Sequence, residues 1–403
     1  MQHAQYMEKL KINIFVILSL MLSWAGLAPR NTLVSESIKN AGVTLEYILV
    51  IIVIVLIVFF QRIIFNYANI LAIIGVVIFW FLRITDNYNL EGVNGVMFLM
   101  LISFLFLDRY SMNEVYKKYR NIMILVSALG IIAYLNVIVQ LFPIEIYPYY
   151  EGLEGALYFV MGPIYVYANV ENGIRLCGIF NEPGYLGTVL ALILCVEKYN
   201  LRNKGNVIML VASICTMSFA FYLISFLYLF FKNIGNIKKI MIGVASIVTV
   251  LVLLNLFPLF VNIEEISPGA ENLISRFSVT ENGKFSGDNR TDLYVDEAFE
   301  KIFYSEKIIY GNGGGYARSI ASKGTSSIVL MIVDYGFLGI IISYGTLLLS
   351  SLVFNKVTVS SLAYILVFFI STYQRPDIFW LTYFVLLFGG LVRINSMEMG
   401  NEE

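Results

Sequence analysis

GNVIMLVASICTMSFAFYLISFLYLFF, residues 205–231, carries no charged side chain and is too long for one ordinary membrane span yet short for two. How it divides sets the topology of everything around it. A span needs about 20 apolar residues. Lys198, Arg202 and Lys204 precede the stretch, and Lys232, Lys238 and Lys239 follow it. Basic loops are retained on the cytoplasmic side, so both clusters lie inside and an even number of crossings separates them. The stretch therefore predicts two short helices, at about 205–217 and 218–231, broken near Thr216, Met217 and Ser218. Each is shorter than a normal span, which a tilted, re-entrant or locally thinned arrangement accommodates.

The rest of the chain extends the same pattern. Of its 403 residues, 59% are hydrophobic and 14% charged, and the mean hydropathy is +0.78. Further apolar segments occur at 11–28, 44–60, 67–82, 92–107, 121–141, 184–197, 240–260, 327–350, 357–373 and 378–392. With the hairpin they predict about twelve transmembrane helices. Lys9 and Lys11 place the N-terminus inside, and 11–28 reads as a retained first helix rather than a signal peptide. Arg62 in 61–66, Arg109, Lys117, Lys118 and Arg120 in 108–120, then Lys356 and Arg393, all fall inside on this count. The expectation is an all-α polytopic membrane protein, one integral membrane domain over 1–403 with both termini cytoplasmic.

Composition also excludes several classes of function. A net charge of −1 is wrong for a globally basic nucleic-acid binder. Cys177, Cys195 and Cys215 lack metal-ligand spacing, and His3 is the only histidine, so neither a metal site nor a cofactor is expected. No repeat of fixed period is visible, which weighs against transporter folds built from repeats.

Two substantial loops fall outside. The first, 142–183, holds Glu145, Glu151, Glu154, Glu171 and Glu182 against a single cation, Arg175. Its apolar patch ALYFVMGPIYVY, 156–167, is too short and too broken to span, and reads as interfacial with Tyr158, Tyr165 and Tyr167 at headgroup depth. The second loop, 261–326, contains DLYVDEAFEKIFYSEK at 292–307. There Leu293, Ala298, Ile302 and Phe303 predict an amphipathic helix lying against the membrane.

The candidates for chemistry cluster in these loops. In RLCGIFNEPGYLG, 175–187, Pro183 suits a first helical position, Glu182 the cap, and Arg175 the preceding loop. The plain alternative is a helix start with a capping carboxylate and an interfacial arginine. Arg290 in GDNRTDLY and Arg318 after the glycine run of YGNGGGYARS are further outside arginines, with Arg276 a weaker fourth. A guanidinium pairs phosphate oxygens through a planar fork, so several around one cavity suit a diphosphate. Gly313 and Gly314 let backbone N–H groups approach an anion closely. Glu182, Asp288, Asp292, Asp296 and Glu297 are the candidates for a general base. Asp334 interrupts the apolar run SSIVLMIVDYGFLG, where an unpaired carboxylate is expensive, and reads as structural or as part of a cavity wall. YQRPD, 373–377, reads as a capped outside turn.

In this order, the 175–187 motif, NRTDLY leading through a helix to YGNGGGYA, and TSSIVLMIVDYGFLGIIISYG resemble bacterial O-antigen and capsular polysaccharide polymerases, part of a larger group that includes the O-antigen ligases. The resemblance covers about 120–390. A ligase would place a histidine near the start of the helix at about 326, where this chain reads KGTSSIV. What the resemblance implies is a metal-independent, cofactor-free glycosyltransferase of the bacterial inner membrane, its active site on the outer face. Its substrate would be an undecaprenyl diphosphate-linked oligosaccharide, with a chain-length regulator and a flippase of the same pathway as partners. It assigns the diphosphate to Arg175, Arg290 and Arg318 with Gly313 and Gly314, and acceptor orientation or proton removal to Glu182. Tyr149, Tyr150, Tyr294 and Tyr316 would stack on sugars or anchor the interface. The alternatives are a ligase, and a flippase or transporter of the same lipid-linked sugars. A flippase places charges along a route through its spans, and here Asp334 is nearly alone.

Overall fold

The computed structural model describes residues 2–23, 36–60, 66–84, 95–148, 156–169, 173–233, 293–321, 327–354, 356–373 and 378–399. The chain forms two compact units. One comprises Met1–Leu22, Gly42–Lys118 and Asn289–Glu403; the other comprises Ser23–Ala41 and Tyr119–Asp288. Both are mainly helical. The segment 240–260, expected to span, lies outside the described residues.

The unit containing both termini is built from α1 (Gln2–Ser23), most of α2 (Glu36–Phe60), α3 (Tyr67–Ile84), α4 (Gly95–Leu105) and the start of α5 (Arg109–Val139). It resumes with the helices from residue 293 onward. Its longest helix, α12 (Ile328–Phe354), packs along α3 at a point where Gly75 faces Thr346: a Cβ on Gly75 would lie 2.0 Å from the Thr346 hydroxyl oxygen. Ser350 donates to the Ala68 carbonyl at 2.7 Å in the same contact, a bond between apolar helices that leaves neither group unpaired. Phe79 of α3 stacks on Phe379 with ring centroids 4.2 Å apart. Arg109 donates to the Phe354 carbonyl at the end of α12 at 2.7 Å, a cation placed at the negative end of a helix. α13 (Val359–Ser371) begins with a capping box in which Thr358 and Ser361 exchange hydrogen bonds. α14 (Leu381–Phe384), a π-turn (Val385–Gly389) and α15 (Gly390–Met399) complete the unit; Gly389 sits under Tyr116, whose Cβ would lie 3.0 Å from an added methyl.

The second unit holds the rest of α5, then α6 (Pro183–Val196), α7 (Lys204–Cys215) and α8 (Phe219–Lys232). The uncharged stretch is thus two helices with a break at 216–218, where the division was expected. Every residue of α6 from Tyr185 to Val196 is buried, and Pro183 is its first residue. At one end of this unit Arg120 pairs with Glu197 at 3.3 Å and donates to Asn206 at 2.8 Å.

The expectation of an all-α chain is corrected here. Between α5 and α6 lies a four-stranded antiparallel sheet in the order β1 (Glu145–Pro148), β2 (Ala156–Met161), β3 (Ile164–Asn169), β4 (Gly173–Gly178). The patch read as interfacial is its central hairpin, with Met161 paired to Ile164. Gly162, at φ 59°, takes the positive-φ first corner of the two-residue loop, and Pro163 fixes the second. Aromatic and β-branched residues fill both strands, and the Gly-Pro pair between two such runs is a hairpin signal.

Two helical faces are as apolar outside as inside. On α5, Leu125, Leu129, Ile132, Leu135 and Ile138 are exposed at helical spacing, and on α12 Ile341, Leu349 and Val353 are more than half exposed. Among the described residues, Arg109–Val139 and Ile328–Phe354 are long and apolar enough to cross a membrane.

Candidate functional site

Sheet, helix start and helix break meet at Arg175. β4 pairs with β3, setting Arg175 opposite Tyr167. Cys177 is the extra residue of a bulge opposite Tyr165 and Val166, and it packs with Tyr158, Tyr165 and Tyr167. On the opposite face Leu176 presses on Gly130 of α5, where an added Cβ would sit 3.0 Å away. β4 is thus covered on both sides, and Arg175 is only 9% exposed.

Its guanidinium is aimed at the turn between α7 and α8. Nε donates to the Thr216 carbonyl at 3.0 Å and one Nη to the Met217 carbonyl at 3.1 Å. These carbonyls lie at the C-terminal end of α7, where a helix leaves acceptors without intrahelical partners and where a cation is favoured. Met217 takes φ 46° to make the turn, and the Ser218 N–H donates to the Thr216 hydroxyl at 3.2 Å. α6 comes close at Gly187, whose added Cβ would lie 2.6 Å from the Ser218 Cβ. The break is therefore held from one side by Arg175 and closed from the other by a glycine.

Glu182 occupies the cap position of α6 with extended backbone (φ −139°, ψ 142°), but its side chain makes no capping hydrogen bond. It is half-buried. Tyr158 donates to the carbonyl of the neighbouring Asn181, tying the helix start to the sheet. The Cys177 thiol is pushed far above its ordinary range by complete burial, an effect that the nearby Arg175 charge opposes. It is an inert packing group rather than a nucleophile.

The glycine run belongs to the other unit and is organised around Asp334. α9 (Leu293–Phe303), α10 (Lys307–Tyr310) and α11 (Tyr316–Ile320) fold onto the first turns of α12. The α9 helix expected at 292–307 is present, but its inward face is Val295, Ala298 and Ile302, while Leu293 and Phe303 are exposed. That face packs on Leu330, Ile332 and Val333 of α12. α12 itself is broken at Gly336 (φ 64°, ψ −174°). Gly311 (φ 79°) fits against the break: its Cβ would lie 2.2 Å from the Asp334 carbonyl oxygen, and one on Gly336 2.3 Å from the Ile309 carbonyl oxygen.

Two backbone N–H groups at the end of the glycine run meet an anion of the same chain. Asp334 accepts from the Ala317 N–H at 2.7 Å and the Gly315 N–H at 3.2 Å through its carboxylate. The Gly313 N–H goes to the Asp334 carbonyl at 2.9 Å, and the Asn312 N–H to the Val333 carbonyl at 2.9 Å. Two backbone N–H bonds to a carboxylate supply the partner that a buried charge requires, so Asp334 has the structural role. Gly314 is buried, and Arg318 is exposed on α11.

Arg175 and Glu182 thus belong to one unit, and Gly313, Gly314 and Arg318 to the other. Arg290, Arg276, Asp288, Asp292, Tyr149, Tyr150, Arg375 and Asp377 lie outside the described residues. Asp296 is half-buried and Glu297 exposed on α9. Among the described residues no cluster of His, Cys, Asp or Glu has the arrangement of a metal site. Sequence reasoning passed over Thr216 and Met217 as ligands of Arg175; the signal was the break itself, which frees two carbonyls in an apolar setting. Comparison with protein-family models, with curated proteins and with solved structures gave no match.

Proposed function

We propose that the protein is an integral membrane glycosyltransferase that polymerises lipid diphosphate-linked saccharides. The observation that carries this reading is Arg175, a nearly buried cation oriented by the carbonyls at the turn between α7 and α8 in an apolar helical unit. Non-helical backbone such as this turn persists at membrane depth where it is buried in protein or lines a cavity. The lipid-facing role is supported by the apolar outward stripes of α5 and α12, which water would penalise and hydrocarbon would not.

In the reaction, an acceptor sugar hydroxyl attacks the anomeric carbon of the donor glycan. The new glycosidic C–O bond forms as the bond from that carbon to the diphosphate breaks, and undecaprenyl diphosphate departs with the electron pair. Glu182 takes the hydroxyl proton. A fixed guanidinium stabilises charge on the leaving diphosphate without moving, which is the condition for electrostatic catalysis. The resemblance assigns diphosphate contacts to Arg290 and Arg318 as well, and alanine substitutions test each singly.

The setting is the bacterial inner membrane with chemistry on its outer face, and a flippase and a chain-length regulator as pathway partners. Cells lacking the protein should accumulate single repeat units on the outer leaflet. Accumulation on the inner leaflet would overturn the reading in favour of flipping.

A further inference from the structure

α9 carries a second feature that the reaction above does not use. Tyr294, Glu297 and Lys301 recur at helical spacing beside the face that packs on α12, and with Lys307, Asn312 and Tyr316 they line a cavity of about 360 Å³. That volume is within the range of roughly 300–1,000 Å³ typical of small-molecule sites. Ala298, Ile302 and Ile320 supply its apolar lining. The wall is held by the core contact of Val295 and Ala298 on one side and the Gly311–Gly336 lock on the other.

The lining has a definite chemistry. Lys307 donates through Nζ to the Asn312 side-chain oxygen at 2.9 Å, which turns the amide NH2 outward as a donor and fixes an ammonium that has further N–H groups. Two ammonium groups against one carboxylate give the cavity a net positive charge. Tyrosine rings beside an apolar lining accept the C–H face of a sugar, while amide and carboxylate groups pair with its hydroxyls. A purely apolar ligand would strand these polar groups, and a dication would meet like charge.

We propose that this cavity binds an acidic saccharide, a sugar ring bearing one carboxylate, with the carboxylate on Lys301 and Lys307 and the ring against Tyr316. The choice of a saccharide rests on the polymerase reading, but occupancy is measured without turnover. The full chain in lipid nanodiscs is titrated with digalacturonic acid and with galactobiose, its neutral counterpart, by saturation-transfer NMR. Digalacturonate should bind at least about tenfold more tightly than galactobiose, and Lys301→Ala or Lys307→Ala should each remove about tenfold, the scale of one charged hydrogen bond. Tyr316→Ala should weaken both ligands. Both lysines are exposed, and unchanged thermal midpoints confirm that the variants fold. Equal binding of the two sugars, no binding of either, or lysine variants that bind as the parent does, overturns the assignment. Binding without polymerisation upholds the cavity and removes the polymerase reading; polymerisation without binding does the reverse.

Discussion

Replacing Gly336 by alanine tests the lock between the glycine run and α12. At φ 64° and ψ −174° the residue lies in a region that is essentially restricted to glycine, so alanine there costs about 1–3 kcal/mol in backbone strain alone. The added Cβ would also meet the Ile309 carbonyl oxygen at 2.3 Å and the Tyr310 nitrogen at 2.5 Å. Those are backbone atoms, so no side-chain rotation relieves the overlap. The 309–317 segment must move away, loosening the Asn312 and Gly313 N–H bonds at 2.9 Å and the carboxylate bonds of Asp334. At about 1 kcal/mol for each neutral bond and about 1.5–3 for each bond to a charge, even partial loss brings the total to about 4 kcal/mol. Gly313→Ala is the control: its φ is 100°, but nothing lies within 4 Å of the added methyl, so it bears the strain alone. Gly345→Ala, inside α12 with its nearest neighbour at 3.9 Å, should stabilise by about 0.5–1 kcal/mol. Thermal unfolding of the purified protein in detergent should rank Gly345→Ala, parent, Gly313→Ala and Gly336→Ala from most to least stable. Limited proteolysis should cut Gly336→Ala first within 305–321. A midpoint for Gly336→Ala at or above that of Gly313→Ala refutes the lock.

Other perturbations follow from the second unit. Arg120→Ala removes the ion pair to Glu197, whose side chain is 5% exposed, and should destabilise by about 1.5–3 kcal/mol, with part of that recovered on adding Glu197→Ala; thermal midpoints of the two variants read this. Gly187→Ala drives a methyl to 2.6 Å from the Ser218 Cβ and should cost about 1–3 kcal/mol, partly rescued by Ser218→Gly in the same assay. Cys177 should resist maleimide until the protein unfolds. Because burial raises its pKa above the ordinary 9.0, the unfolded chain loses the proton first, so stability holds below that pH and falls above it. Cys177→Ala should flatten this alkaline decline in a pH series of thermal midpoints.

The helices were legible because their signal is long and one-dimensional. Loop charge divided 205–231 into two helices rather than one, and the polar Thr216 and Ser218 marked where they part. Pro183 likewise marked the start of α6. The sheet was missed because hydrophobic length was weighed before turn chemistry: 156–167 was judged as a failed span, although Gly162-Pro163 between two β-rich runs is the mark of a hairpin. On α9 the helix was visible but its face was not, because Val295, rather than Leu293, turns inward once Leu330 and Val333 offer a surface. At the end of the glycine run the N–H groups of Gly315 and Ala317 meet the Asp334 carboxylate, and the Gly313 N–H meets its carbonyl, a pairing between residues about 20 positions apart that spacing does not reveal. Arg175 stood out by the scarcity of charge around it, whereas its bonds to Thr216 and Met217 depend on a helix break that only the fold brings beside β4.

The most direct measurement of the central claim uses the purified protein in lipid with an undecaprenyl diphosphate-linked repeat unit of its native polysaccharide, the products resolved by length. The polymerase reading predicts a ladder of longer lipid-linked glycans with stoichiometric release of undecaprenyl diphosphate. It also predicts that Arg175→Lys, which keeps the charge but loses the planar fork, suppresses the ladder by at least about tenfold while the protein remains folded. A repeat unit returned unchanged by the folded protein, or a ladder of equal yield from Arg175→Lys, would contradict it.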